Sequence, residues 1–170
     1  MREPKPIRGA KALLFERLVD EDPHTPSEAR PFRIYGVEAL RESVGRELMR
    51  LLNTRCPRIG GLVSEADRTI LDYGIPSFSH VSAGSETDTR QLAQILEQAI
   101  RFYEPRLREV RVAIQASTTS KITTTGTIEA MLAVDNVNEP VSFPLVLTPK
   151  RSEIILVEQT TSSQGKISNF

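Results

Sequence analysis

The apolar residues change period within one short stretch, Arg101–Ile114 (RFYEPRLREVRVAI), and that change limits the folds open to the chain. Upstream, Leu92, Ile95, Leu96, Ala99, Ile100 and Tyr103 recur at i, i+3, i+4 and i+7, the stripe of an amphipathic helix over about Thr87–Tyr103. Downstream, Val110, Val112, Ile114 and Ala116 alternate with Arg111, Ala113 and Gln115, as in a half-buried strand. Pro105 disfavours helical geometry at Glu104, so the helix is expected to end there, with a carboxylate at the negative end of its dipole. That placement costs about 0.3–1 kcal/mol unless a cation offsets it. Arg106 is the local candidate, with a planar fork suited to a carboxylate. The plainer alternative is a solvated Glu104, a Pro105 that only stops the helix, and a surface pair worth little.

The remaining pattern extends both halves. Val37, Leu40, Val44, Leu48, Leu51 and Leu52 predict a helix from about Gly36 to Asn53, ended by Pro57 and Gly60-Gly61. Ser64–Leu71 suits one or two helical turns, with Ser64 as cap and Asp67 at the capping-box position. The later helix has Thr87 or Thr89 as its candidate cap. After the first strand, Thr127–Val134 and Val141–Leu147 follow, with 135–140 read as the hairpin loop between them, and Glu153–Glu158 as a fourth strand. The expected class is α+β: N-terminal helices packed on one face of a mainly antiparallel sheet of three to four strands.

Three regions follow. Residues 1–30 read as an arm with a short amphipathic helix and a proline-rich linker, 31–158 as the α+β domain, and 159–170 as a disordered polar tail. Two fates are open to the arm's apolar residues Leu14, Phe15 and Leu18: docking on the chain's own core, or anchoring a partner. Asp72, Tyr73, Gly74 and Pro76 read as a structural turn, with Gly74 supplying positive φ and Tyr73 packing beside the core.

Chemistry is sparse. Lys+Arg and Asp+Glu number 22 each, so there is no basic excess for neutralising phosphates and no polybasic reason to sit on a membrane. Cys56 is the only cysteine, which fits a reducing compartment. The N-terminal apolar part is too short and charged for a signal peptide, and no run approaches the roughly 20 apolar residues of a span. A soluble, cytoplasmic protein is the expectation. His24, His80 and Cys56 show no metal-ligand spacing, Gly60-Gly61 lacks the rest of a phosphate loop, and no serine sits in an elbow motif. No metal, cofactor or catalytic residue is expected. Asp72 and Glu104 could form the carboxylate pair of a glycoside hydrolase, but nothing sets their separation, and aromatics make up only 5% with no tryptophan for a sugar platform.

Four segments taken in order, LLFERL (13–18), ESVGRELMRLLNTR (42–55), TILDYGIPSF (69–78) and FYEPRL (102–107), resemble TssE, the baseplate wedge subunit of bacterial type VI secretion systems. The family also takes in the small wedge protein of contractile-tailed phages, historically labelled a lysozyme. LLNTR, DYGIP and EPRL are its most specific marks; Ser77 stands where an acidic residue is common, and Thr69-Ile70 where Ser-Val is common. The resemblance implies a non-catalytic role, joining TssF-like and TssG-like wedge partners and priming sheath subunits, without nucleic acid or membrane insertion. It implicates Glu104, Pro105 and Arg106 in docking. Glu104 and Arg106 are then expected to be held by Pro105 as a rigid polar pair completed by partner groups, so that Arg106→Ala should weaken assembly and spare the fold. A peptidoglycan hydrolase of the lysozyme type is the alternative. For strand addition, the threonine-rich KITTTGTIEA offers Thr123, Thr125 and Thr127, and Pro144 implies that its strand is an edge or bears a bulge.

Overall fold

The helices precede the main, four-stranded sheet in the computed structural model, which describes residues 9–18, 24, 34–56, 69–115 and 122–157. Strand β1 (Ala10–Lys11) leads into helix α1 (Leu14–Leu18); β2 (Ile34–Tyr35) pairs antiparallel with β1 and opens onto helix α2 (Val37–Asn53). A 3-10 turn at Ile70–Asp72 precedes helix α3 (Glu86–Tyr103). Then β3 (Leu107–Gln115), β4 (Thr124–Val134), β5 (Val137–Thr148) and β6 (Glu153–Leu156) form an antiparallel meander in that order. The class is α+β.

Both stripes read from the sequence are buried: Leu40, Val44, Leu48, Leu51 and Leu52 from α2, and Leu92, Leu96, Ala99 and Ile100 from α3. They cover the sheet face that carries Ile128 and Leu132 of β4 with Phe143, Leu145 and Leu147 of β5. The opposite face presents Thr125, Thr127 and Glu129. One polar residue, Ser43, sits in the buried stripe of α2 with no exposed surface.

Several local expectations change. The cap of α3 is Ser85, whose Oγ accepts from Asp88 N, while buried Thr89 turns its hydroxyl back to the carbonyls of Ser85 and Glu86. The β4–β5 loop is two residues, Asp135-Asn136, because Val134 already pairs with Val137. Asp135 adopts φ 49°, the positive value that tight hairpin turns need at their first central position. The arm of residues 1–30 is partly integrated: Ala10 and Ala12 are buried, and Ala10 joins the main core. Most of Ser64–Leu71, with Ser64 and Asp67, and the tail at 159–170 lie outside the described residues. Within the described part, Thr69 caps the 3-10 turn, its N–H and Oγ1 both donating to Asp72 Oδ2.

Pro144 lies on neither an outer strand nor a bulge. Strand β5 runs in continuous register between β4 and β6, and Pro144 stands just beyond the last pair with β6, Leu145↔Leu156. Its carbonyl accepts from Val157 N. In an antiparallel ladder a residue's N–H and C=O face the same side. The missing proline donor therefore falls at the end of the β5–β6 ladder, beyond the last residue of β6.

Candidate functional site

The junction between α3 and β3 is a tight turn built by Glu104-Pro105-Arg106-Leu107. Glu104 caps α3 with φ −121° and ψ 79°, non-helical as a residue before proline should be, and its N–H still donates to Ile100 O at 2.8 Å. Leu107 N donates to Glu104 O at 3.0 Å, closing a four-residue turn with proline at its favoured second position. Ala133 N donates to Arg106 O at 2.8 Å, tying the turn to β4.

Within this turn Arg106 Nε donates to Glu104 Oε1 at 2.7 Å and Nη2 to Oε2 at 2.6 Å. This is a two-pronged clasp, with side chains 10% and 6% exposed. The third nitrogen of the fork, Nη1, donates to Ser43 Oγ at 2.9 Å. Ser43 in turn donates to Glu16 Oε2 at 3.1 Å, and Arg46 Nη2 donates to Glu16 Oε1 at 2.6 Å. Burial acts to raise the pKa of Glu16, but the hydrogen bonds from Arg46, Ser43 and the Leu13 N–H outweigh it, and the net shift is downward. Nearby, Arg101 Nη2 holds the Val110 carbonyl at 3.0 Å.

The docking residues inferred from the family thus divide. Glu104 and Arg106 are turned inward and complete each other, so the picture of a pair waiting for partner groups gives way to an internal clasp. A buried clasp also changes the expected effect of Arg106→Ala, which strands a buried carboxylate. Pro105 is the exposed member of the three. Leu14 and Leu18 are 58% and 70% exposed, so α1 does not bury them on its own core; the side chain of Phe15 lies outside the described residues. In the turn at 72–76, Gly74 has φ 111°, and a Cβ there would meet Thr54 O at 2.4 Å. Tyr73 packs against the core and edge-on to Tyr103 at 5.1 Å, and burial raises its pKa. Ile75 N and O bond Thr54 O and Cys56 N, fastening the turn to the end of α2.

Strand addition cannot use Thr125 or Thr127, because β4 is hydrogen-bonded to β3 on one side and β5 on the other; Thr123 lies just before that strand. The sheet's two outer edges differ. On the β6 side, Asn53 mimics a strand: its Oδ1 accepts from Ile154 N at 3.0 Å and its Nδ2 donates to Ile154 O at 2.8 Å. Leu156 N donates to Met49 Sδ, Ser142 O accepts from Arg41, and Pro140 and Pro144 carry no donor along the part of β5 that β6 leaves open. On the β3 side, Ala113 pairs with Thr127 and Gln115 with Thr125, and the Gln115 carbonyl accepts from Thr124 Oγ1. The alternation then aims the backbone of Val112 and Ile114 outward, and among the described residues no backbone partner meets them there.

Sequence reasoning found Glu104 and Arg106 from their spacing but missed Ser43, Asn53, Arg101 and Glu16. A serine at a position of the leucine stripe was the available signal for Ser43. Among the described residues, no three of His, Cys, Asp and Glu are grouped to hold a metal ion, and no helix is long and apolar enough to cross a membrane.

Comparison with known proteins adds a family. No curated protein matches the chain. One solved structure it is similar to, described as "The baseplate complex from the type VI secretion system", shares 19% identity at a TM-score of 0.48, covering 72% of this chain and 97% of that one. The family model described as "Baseplate wedge protein gp25" matches residues 38–137, from the start of α2 through the β4–β5 turn and so more than half of the 170 residues. This chain belongs to the family of baseplate wedge protein gp25.

Proposed function

We propose that this chain is a non-catalytic wedge subunit of a type VI secretion baseplate, of the TssE kind, working in the cytoplasm as a rigid joint between other proteins. Family membership supports a structural part in a baseplate. The observation that carries the finer reading is the clasped turn at Glu104–Arg106: a rigid corner whose exposed residue is Pro105. TssF-like and TssG-like partners dock against Pro105 and the exposed leucines of α1, with Glu104 and Arg106 holding the corner's shape. A sheath subunit adds a strand to the outer edge of β3 at Val112 and Ile114, which leaves the first sheath ring templated on a completed sheet. Asp72, Tyr73, Gly74 and Pro76 are structural in this reading.

The clasp also supports a non-catalytic role. A general acid must reach the group it protonates, and both Glu104 oxygens are taken up by Arg106 in a nearly closed site.

Co-purification with the wedge partners tests docking with Glu104 and Arg106 both kept in place. Pro105→Ala combined with Leu14→Ser and Leu18→Ser is expected to weaken association at least about tenfold, the loss of a small hot spot. Wild-type recovery of both partners would remove the docking assignment. Strand addition is tested by proline: Val112→Pro deletes an outward N–H and should stop sheath priming, whereas Ser142→Pro on the opposite edge should not. Priming that survives Val112→Pro and fails with Ser142→Pro would reverse the edge assignment. Clearing of a peptidoglycan suspension at enzymic rate, abolished by Glu104→Gln, would overturn the non-catalytic reading.

A further inference from the structure

The contacts of α1 are unusual for a helix with leucines. Leu14 and Leu18 face solvent, while Glu16 points inward to Ser43 and Arg46. The segment before it is held differently: Ala10 and Ala12 are buried, β1 pairs with β2, and Lys11 N reaches Asp135 on the β4–β5 turn. The N-terminal segment therefore has a firm anchor at 10–12 and a separately attached helix beyond Leu13. Among its described side chains, Leu14 and Leu18 add little apolar burial, and the polar bonds of Glu16 are what tie this part to α2.

Ser43 joins that helix to the Glu104–Arg106 corner. A guanidinium can only donate and a carboxylate can only accept, so one hydroxyl between them has a single orientation. It accepts from Arg106 Nη1 and spends its proton on Glu16 Oε2. Bonds in such a chain polarise one another, and each end is worth more when the other is in place. Arg106 and Glu16 meet at the same Ser43 hydroxyl, and each sets how well Ser43 serves the other.

We propose that α1 is a releasable strap whose seating is energetically coupled, through Ser43, to the geometry of the Glu104–Arg106 turn. Distortion of the turn loosens the strap, and release of the strap loosens the turn. The coupling is internal to the chain and stands whether or not the proposed wedge partners are correct.

Amide exchange on the full chain tests it in both directions. Ser43→Ala, which keeps both residues of the Glu104–Arg106 clasp, is expected to speed exchange of the Arg17 N–H, bonded to Leu13 O, by about three- to tenfold, one hydrogen bond's worth. Glu16→Gln, an α1 change outside the core, is expected to speed exchange of the Leu107 N–H, bonded to Glu104 O, by way of Ser43. Coupling is reciprocal, so Arg106→Lys should in turn speed exchange of the Arg17 N–H. Glu86→Gln, which breaks an exposed pair with Arg90, serves as the control and should change neither amide. If Glu16→Gln leaves Leu107 exchange as in the wild type, the relay does not reach the turn and the proposal fails, whatever Arg106→Lys does to folding. If Ser43→Ala leaves Arg17 exchange unchanged, Ser43 does not hold the strap and the proposal fails equally.

Discussion

Arg106 grips Glu104 with two parallel hydrogen bonds across a proline turn, and neither side chain is more than 10% exposed. The helix dipole opposes a carboxylate at this position, and the guanidinium beside it supplies the compensating charge. The two residues are separated only by Pro105, whose fixed φ narrows the conformations the turn has to search. The clasp therefore fixes the angle at which α3 hands the chain to β3.

Removing one member of a buried pair leaves the other uncompensated. Arg106→Ala is expected to destabilise the isolated protein by about 3–5 kcal/mol, read as a lower denaturant midpoint with unchanged slope. Arg106→Lys keeps the charge but loses the fork, and should fall between wild type and alanine. An unchanged midpoint for Arg106→Ala would mean that the clasp is a surface pair after all.

Asn53 bonds both backbone groups of Ile154 and so completes the outer ladder of β6. Asn53→Ala leaves that N–H and C=O without their side-chain partner and is expected to cost about 1–3 kcal/mol. Exchange at the Ile154 amide should rise while that of residues on β4 follows only the global loss. Asn53→Asp keeps the acceptor for Ile154 N but loses the donor to Ile154 O, and should recover part of the difference.

Gly74 supplies a conformation that other residues reach only with strain. Its φ of 111° brings the backbone so close to Thr54 that an added Cβ would fall 2.4 Å from that carbonyl. Gly74→Ala should therefore destabilise by at least about 1–3 kcal/mol and open the bridge between Arg55 and Ile75. Thermal unfolding with probes on either side of that bridge checks both effects.

What the sequence disclosed follows from the range over which each interaction acts. Both helices and the meander were legible because a stripe at i, i+3, i+4 or an alternation at i, i+2 is written in neighbouring residues. The Glu104–Arg106 pair was legible for the same reason, lying two positions apart. Ser43 meets Arg106 across 63 positions and Asn53 meets Ile154 across 101, and no local pattern encodes such meetings. The strand-addition residues were misplaced because a polar, threonine-rich strand looks like an edge, although here its polarity reflects the solvent face of a strand paired on both sides. The two-residue turn was overlooked because Asn138-Glu139-Pro140 breaks the apolar alternation, yet it pairs with Met131, Leu132 and Ala133 through its backbone.

Glu16 ties the seating of α1 to pH. Its pKa is lowered in the folded chain: burial raises it, and the bonds from Arg46, Ser43 and the Leu13 N–H lower it by more. A carboxylate depressed on folding contributes stability above its unfolded pKa, near 4.3, and that contribution is lost as pH falls through the folded value. α1 should therefore stay seated from neutral pH down to about 5 and loosen as the pH drops below about 4, with the rest of the fold still in place at the onset. Proton NMR of the Arg17 and Leu18 amides through an acid titration checks this, since Glu16→Gln should remove the step. Raised salt should weaken the Arg46 contribution, because that arginine is half exposed, and shift the onset upward. A titration curve for α1 identical in wild type and Glu16→Gln would assign the acid response to some other carboxylate.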